Sequence, residues 1–490
     1  MPRHVRPWLA GVLAAAVGAG VLAAQPSPED ALTRKARAIH QRVLTLDTHN
    51  DISPSNFTSV CNYTMDLPTQ VNLPKMINGG LDASFFIVFV GQGPLTPEGY
   101  ANAYRQAIDK FEAIHRLTEQ IAPDKIGLAL TSADARRLHA QGKKIAFIGV
   151  ENGYPIGDDL ARIKEFYDRG GRYLSLAHNG HSQLSDSNTG EVEGWKWNGL
   201  SPLGRQAVAE MNKVGMMIDV SHPSKQSMMQ TLALTKAPII ASHSAMRALA
   251  DVSRNLDDEQ LLALKKNGGV VQVVAFASYV KTDSAARKAA LDGLRKEFNL
   301  PPGTALGPGG GARGRGRAGM PGSDVTPFSR ANPCAGPRGR ADVPPAAPTA
   351  PAATVDPGGG RVTISAQPPA GRGGALAGLS DAQRAELQRR LDAINAEFPP
   401  PARATVKDFI DHIDYAVKKI GIDHVGISSD FDGGGGVDGW NGADETFNVT
   451  LELVRRGYTE DQIAKIWSAN LFRVMDEVQA LARKLQPQAK

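Results

Sequence analysis

Five metal-ligand side chains lie far apart in this chain, each beside an apolar run. They are His49 and Asp51 in LTLDTHND, Glu151 in IAFIGVEN, His222 in MMIDVSH and His243 in PIIASHS. Further on, Asp430 ends the run HVGISSD. His49 and Asp51 stand two apart, so in extended chain both side chains face one way and can grip a single divalent ion. Alone, such an H-x-D pair is common by chance. Glu151 closes an otherwise apolar run, where a carboxylate is costly to bury unless it is paired or metal-bound. A helix cap or a salt bridge to an arginine would also satisfy it, but a carboxylate can join two cations, one oxygen to each. His222 and His243 end consecutive runs. Neighbouring strands lie about 5 Å apart, so the two imidazoles can share an ion. A single strand-end histidine is more often a hydrogen-bonded core residue; two in equivalent places, with three further ligands, favour a site.

Asp430 on the last strand could act as general base and acid on a metal-bound water. The competing reading, a loop Asx turn, fits Asp432-Gly433 better. His178 ends LSLAH and His181 follows; one of the two could polarise a substrate oxygen. Arg254 in DVSRN could take a carboxylate in a two-pronged grip, although an isolated arginine is usually a surface ion pair. Together these residues point to a metal-dependent hydrolase.

Ligands arriving from the ends of different strands are how a parallel α/β barrel builds its site. Eight strand candidates occur, at 43–48, 83–90, 144–150, 172–177, 215–221, 238–242, 269–276 and 424–429. Helix-like periodic segments separate most of them, at 97–119, 160–169, 202–213, 225–234 and 257–266. Alternating β and α over this length reads as a parallel sheet, and eight repeats favour a closed (β/α)₈ TIM-type barrel over an open doubly wound sheet. No glycine-rich phosphate fingerprint follows the first strand, which weakens a dinucleotide site. The last connection is long: a helix at 285–298, a compositional break, helices at 381–398 and 406–420, then the eighth strand. Closing helices follow at 443–456 and 459–485, the latter opened by a Thr459/Gln462 capping box.

The break, residues 301–376, is rich in Pro, Gly, Ala and Arg. It reads as a disordered or loosely attached insert, because such tracts bury too little apolar surface to offset chain entropy. Its eight Arg and three Asp, with no Lys or Glu, carry the whole formal net charge of +5. The remainder is neutral, so the basicity does not argue for nucleic acid. At the N-terminus, Arg3, His4 and Arg6 precede an apolar stretch from Trp8 to Ala24, ended by Gln25-Pro26. Residues 1–24 read as a secretory signal peptide, implying a periplasmic or secreted protein; an uncleaved membrane anchor is the alternative. Export permits a disulfide between Cys61 and Cys334, but the position of Cys334 in the low-complexity zone weighs against one, and pairing is left open. The barrel would occupy 36–300 and 377–485.

In order along the chain, LDTHND, GVENG, RYLSLAHN, DVSH, ASHSAMRAL, SRN, GGVVQV, GIDHVGISSDFDG and GYTEDQIAKIWSANLFRV resemble the membrane (renal) dipeptidase family, peptidase family M19. The likeness runs from about Val43 to Met475 without the insert. It implies a (β/α)₈ barrel and two zinc ions, one held by His49 and Asp51, the other by His222 and His243, with Glu151 bridging. It implies that His178 steadies the substrate carbonyl, that Arg254 takes the terminal carboxylate and that Asp430 manages protons. The reaction implied is hydrolysis of dipeptides, L-X-L-Y and L-X-D-Y, by a bridging hydroxide, in a homodimer. Another binuclear amidohydrolase, of the D-aminoacylase, lactonase or β-lactam-hydrolysing type, and a metal-containing binding protein are the competing readings. The insert and the polar C-terminus, which lacks a GPI-type signal, depart from animal members.

Overall fold

The computed structural model describes residues 28–301, 304, 306, 334 and 375–486. The expected signal peptide therefore lies outside the described residues, as does most of the insert. Among the described residues no helix is long and apolar enough to cross a membrane.

Nine strands form one parallel sheet. They are β1 (Leu46–Asp51), β2 (Ala83–Phe89), β3 (Ile126–Leu128), β4 (Lys144–Glu151), β5 (Gly171–Ser175), β6 (Met217–Asp219), β7 (Ile240–Ser244), β8 (Val270–Val274) and β9 (Val425–Ser428). Eight of them run β1-β2-β4-β5-β6-β7-β8-β9, and β3 pairs only with β4, off this path. The path closes where Asp51 N donates to Phe431 O at 2.9 Å, just beyond β9. The result is a (β/α)₈ barrel. Helices Pro97–Arg116, Pro202–Val214, Lys225–Leu234, Asp258–Asn267 and Val406–Ile420 occupy the expected connections. The closing helix at 459–485 is interrupted by a π-helical turn at Lys465–Ala469; its Thr459/Gln462 capping box is present.

Alternation along each strand divides the core in two. Ala83, Phe85 and Ile87 of β2 join Ile145 and Phe147 of β4 and Tyr173 of β5 in one buried cluster, with Leu471, Phe472 and Met475 from the last helix. Phe86 and Val88, with Ile148 and Val150, join the larger cluster beneath the helices. Strands buried on both faces read as continuous apolar runs, which is why they stood out in the sequence. The same period of two puts Glu151 on the face of Phe147 and Ile145.

Two sequence expectations are revised. The first strand is three residues later than expected, Leu46–Asp51, so His49 and Asp51 lie within it. The three-residue β3 was not anticipated, since so short a run carries no periodic signal. Where the β6–β7 ladder thins to one registered pair, a side chain takes over: the Asp219 carboxylate accepts from Ser242 N at 2.8 Å and Ser242 Oγ at 2.7 Å. At the β9–β1 seam Asp47 does the same, accepting from Ser429 N at 2.8 Å and Ser429 Oγ at 2.5 Å.

Cys61 and Cys334 form a disulfide, their Cα atoms 5.2 Å apart across 273 residues of sequence. Composition around Cys334 gave no hint of this, because pairing depends on where the chain returns rather than on local sequence. Leu306, from the same zone, packs with Leu291, Leu294, Leu300, Leu387 and Leu391, so one point of the zone is tied to Cys61 and another to the two helices that flank it. Cys61→Ser should lower the unfolding free energy by about 2–4 kcal/mol without changing metal content. Melting curves of the variant and of the wild type with and without reductant check this; identical oxidised and reduced curves would contradict it.

Candidate active site

The barrel brings every expected ligand to one end. Glu151, at the end of β4, is the hub. Its Oε1 lies 2.9 Å from His222 Nε2, 3.3 Å from His243 Nε2 and 3.7 Å from His178 Nε2. Its Oε2 lies 3.5 Å from His49 Nε2. One carboxylate therefore presents one oxygen to the β6–β7 histidines and the other to β1. The His49 and His243 rings are 3.8 Å apart between centroids, so the two halves form one continuous site. Three sets of possible metal-holding groups overlap here: His49, Glu151 and His243; Glu151, His178 and His222; and His49, Asp51 and Asp430.

The surroundings orient the imidazoles. The Tyr173 hydroxyl donates to Thr48 O at 3.1 Å and lies 2.9 Å from His49 Nδ1. With the phenol proton committed, Nδ1 carries the ring proton and Nε2 keeps its lone pair for an ion. Gly149 makes room for this tyrosine, since a Cβ there would meet the Tyr173 ring at 2.2 Å. His243 Nδ1 lies 2.7 Å from Ser242 Oγ, which donates to Asp219. His222 Nδ1 is 3.2 Å from Asn179 Oδ1.

Charge in the site is unbalanced without cations. Burial pulls the His222 and His243 imidazoles well below their ordinary range, which keeps them neutral and able to ligate. Burial pushes the Asp51 carboxyl up to about 6 and the Asp430 carboxyl to about 8. Burial also opposes protonation of His49, but Glu151, Asp430 and Asp51 outweigh it and raise that ring to about 9. Burial raises Glu151 too, yet the surrounding imidazoles hold it well below the carboxylate range. The field that would protonate His49 is one that metal ions would fill. His49 Nε2 and Asp51 Oδ1 are buried with no hydrogen-bond partner, as ligand atoms should be, so the donor set fits the metals that the sequence implies.

The sign of this imbalance can be tested on chelated protein. Carboxyls raised in the folded state cost stability as pH climbs from their unfolded values near 4, through about 6 for Asp51 and about 8 for Asp430. A raised His49 contributes stability present below about 6.5 and lost through about 9. Both act in one direction. Above the range where the depressed His222 and His243 oppose it, the melting temperature of chelated protein should fall from pH 7 to pH 9, and the stabilisation gained on adding zinc should widen over that window. A metal-free melting temperature that rises with pH would contradict this.

Other expected residues fall into place around the hub. Asp430 is buried and adopts φ 58°, a left-handed conformation uncommon outside glycine and often kept at functional positions. Arg254 is buried; its Nη1 donates to Ser221 O and to Ser244 Oγ at 2.9 Å. Its Nε and Nη2 have no partner. His178, not His181, faces the hub. His181 sits 3.0 Å from Asp186 and 2.8 Å from Gly194 O, tying down its own loop. Asp432 accepts from Gln70 N at 2.9 Å and Val71 N at 3.3 Å, a loop-fixing role.

A family model described as membrane dipeptidase (peptidase family M19) matches residues 33–489. The chain belongs to the M19 family. Within it, a 256-residue stretch is 31% identical to dipeptidase aclJ of Aspergillus oryzae, covering 50% of this chain and 60% of that protein, less than two thirds of its length. Dipeptidase tcpJ of Claviceps purpurea is 23% identical over 86% of this chain and 72% of its own length. The solved structure of the probable dipeptidase PvdM from Pseudomonas aeruginosa is 32% identical with a TM-score of 0.68, covering 93% of this chain and all of that one. A metallopeptidase from Rhodobacter sphaeroides, bound to a phosphinate mimic of L-Ala-D-Ala, shares the fold at 18% identity and a TM-score of 0.58, over 89% of this chain and 99% of that one. The M19 family is one of metallopeptidases, in keeping with the His, Glu and Asp clusters found here.

The residues that aim the ligands, Asp47, Tyr173, Asp219 and Ser242, are not among those expected from the sequence. Part of the signal was present, since an aspartate precedes the ligand histidine in both LDTH and IDVSH. Tyr173 carried none, because its partner lies 124 residues away.

Proposed function

We propose that this chain is a zinc-dependent dipeptidase with a binuclear site, cleaving L-X-L-Y and L-X-D-Y dipeptides. One observation carries the reading: Glu151 stands between His49 on one oxygen and His222 and His243 on the other. His49 and Asp51 would hold one ion and His222 and His243 the other, with Glu151 shared. Two zinc ions, when bound, supply electrophilic polarisation and acidify a water toward neutrality.

The remaining chemistry belongs to the protein. The free Nε and Nη2 of Arg254 form a fork for the substrate's terminal carboxylate. That grip sets the peptide bond over Glu151. His178, whose ring is 4.1 Å from that of His222, donates to the oxygen that gains charge as the carbonyl is attacked. Asp430 takes the proton of the attacking water and hands it to the leaving amine. Export by residues 1–24 and a homodimeric assembly belong to the same proposal.

The test is a panel of L-X-L-Y and L-X-D-Y dipeptides, N-acyl amino acids, lactones and β-lactams, assayed with zinc and with chelator. Chelator-sensitive turnover of dipeptides is expected. Turnover of acyl amino acids or lactones alone would assign another amidohydrolase activity, and turnover of nothing would leave a metal-binding protein.

A further inference from the structure

Lys110 lies on the helix Pro97–Arg116, which connects β2 to β3. It is half-buried, and its ammonium stands 5.7 Å from the centroid of the Phe89 ring. Phe89 in turn packs on His178, ring centroids 4.5 Å apart, and is the sheet partner of Glu151. Lys110 is close enough to Asp51 and Glu151 for both carboxylates to act on it. Among the described residues its ammonium makes no ion pair or hydrogen bond. Asp109, its neighbour in sequence, acts on it as well, but none of the three carboxylates pairs with it directly, and metal ions held by Asp51 and Glu151 would neutralise those two, so an arriving anion would be favoured there.

Its place around the barrel indicates what that is. Phe89 ends β2, and Arg254 follows β7. In the order β1-β2-β4-β5-β6-β7-β8-β9 these two strands are four apart in a ring of eight, diametrically opposite. A dipeptide whose terminal carboxylate is held by Arg254 and whose peptide bond lies over Glu151 directs its first residue toward β2. We propose that Lys110 selects dipeptides with an acidic first residue, pairing its ammonium with the side-chain carboxylate of an N-terminal Glu or Asp. This rests on the dipeptidase reading above. Phe89 serves as the platform: its ring face favours the ammonium and its body covers the aliphatic stem.

The experiment compares kcat/KM for L-Glu-L-Ala and the near-isosteric L-Gln-L-Ala on zinc-loaded wild type, Lys110→Met and Lys110→Glu. Wild type should favour L-Glu-L-Ala by about 10- to 100-fold, as a hydrogen bond between charged groups would give, mostly through KM. Lys110→Met should bring the ratio close to one, and Lys110→Glu should shift preference to L-Lys-L-Ala. Phosphinate mimics of L-Glu-L-Ala and L-Gln-L-Ala, titrated as inhibitors, should show the same ratio as a binding constant. A wild type that cleaves both dipeptides equally, or a Glu preference that survives in Lys110→Met, overturns the role of Lys110 and leaves the dipeptidase reading intact. A wild type that cleaves neither, nor any other dipeptide, overturns both.

Discussion

Replacing Asp430 by Asn should lower kcat by about 10²–10⁴-fold, the usual contribution of a positioned general acid–base group, while two metal ions remain bound. The substitution preserves shape and removes only the capacity to carry a proton. Asp430 is buried at the exit of β9, in an environment that pushes its carboxyl up to about 8. That direction holds for the site without cations, where burial lets the carboxyl keep a proton; nearby metal ions would lower it. Its left-handed backbone, φ 58°, is one that asparagine also tolerates, so the variant should fold. KM should change little if the carboxylate grip is that of Arg254, as proposed. Steady-state kinetics with metal analysis on the same sample decides the matter. Wild-type kcat would remove Asp430 from the mechanism, and lost metal would make it a ligand instead.

The second large effect is expected at Glu151. Glu151→Gln keeps the side-chain volume but replaces a carboxylate oxygen with an amide nitrogen, a donor that no metal ion accepts. One oxygen of Glu151 faces His222 and His243 and the other faces His49, so both halves of the site should suffer together. Bound zinc should fall from two equivalents to one or fewer, and dipeptide turnover should fall to background. Equilibrium dialysis against zinc gives the stoichiometry directly. A variant that still binds two equivalents tightly would show that Glu151 is not shared, and the binuclear arrangement would need other ligands.

Much of this site was legible in the sequence because strand ends in a barrel converge by geometry alone. Once eight apolar runs alternate with helical segments, polar residues at their ends meet without further assumption. That logic placed His49, Asp51, Glu151, His222, His243 and Asp430 at one end of the barrel. It failed where position depends on contacts between strands. Tyr173 reads as a core aromatic in GRYLS, and its hydroxyl matters only because Gly149 on the next strand leaves the space. Asp47 and Asp219 read as strand-end polar residues, yet each fastens a neighbouring strand. The boundaries of β1 shifted because LDTHND is polar, and its extended form comes from pairing with β2. Lys110 was invisible for a related reason, since a lysine on an amphipathic helix is ordinarily a solvated one. Its setting over Phe89 appears only in three dimensions.

The Cys61–Cys334 bond has a topological consequence. Cys61 follows β1 and precedes β2, and Cys334 follows β8 and precedes β9. The oxidised chain is thus a covalent loop containing β2 through β8, with two tails, one bearing β1 and the other β9. Glu151, His178, His222, His243 and Arg254 ride on the loop; His49 and Asp51 ride on one tail and Asp430 on the other. The barrel wall is completed only where the tails meet, at Asp51 N and Phe431 O and through Asp47 and Ser429. A metal ion held jointly by Glu151 and His49 would act as a buckle between loop and tail. Opening of the barrel at the β1–β9 junction would carry Asp430 away from His49 and Asp51.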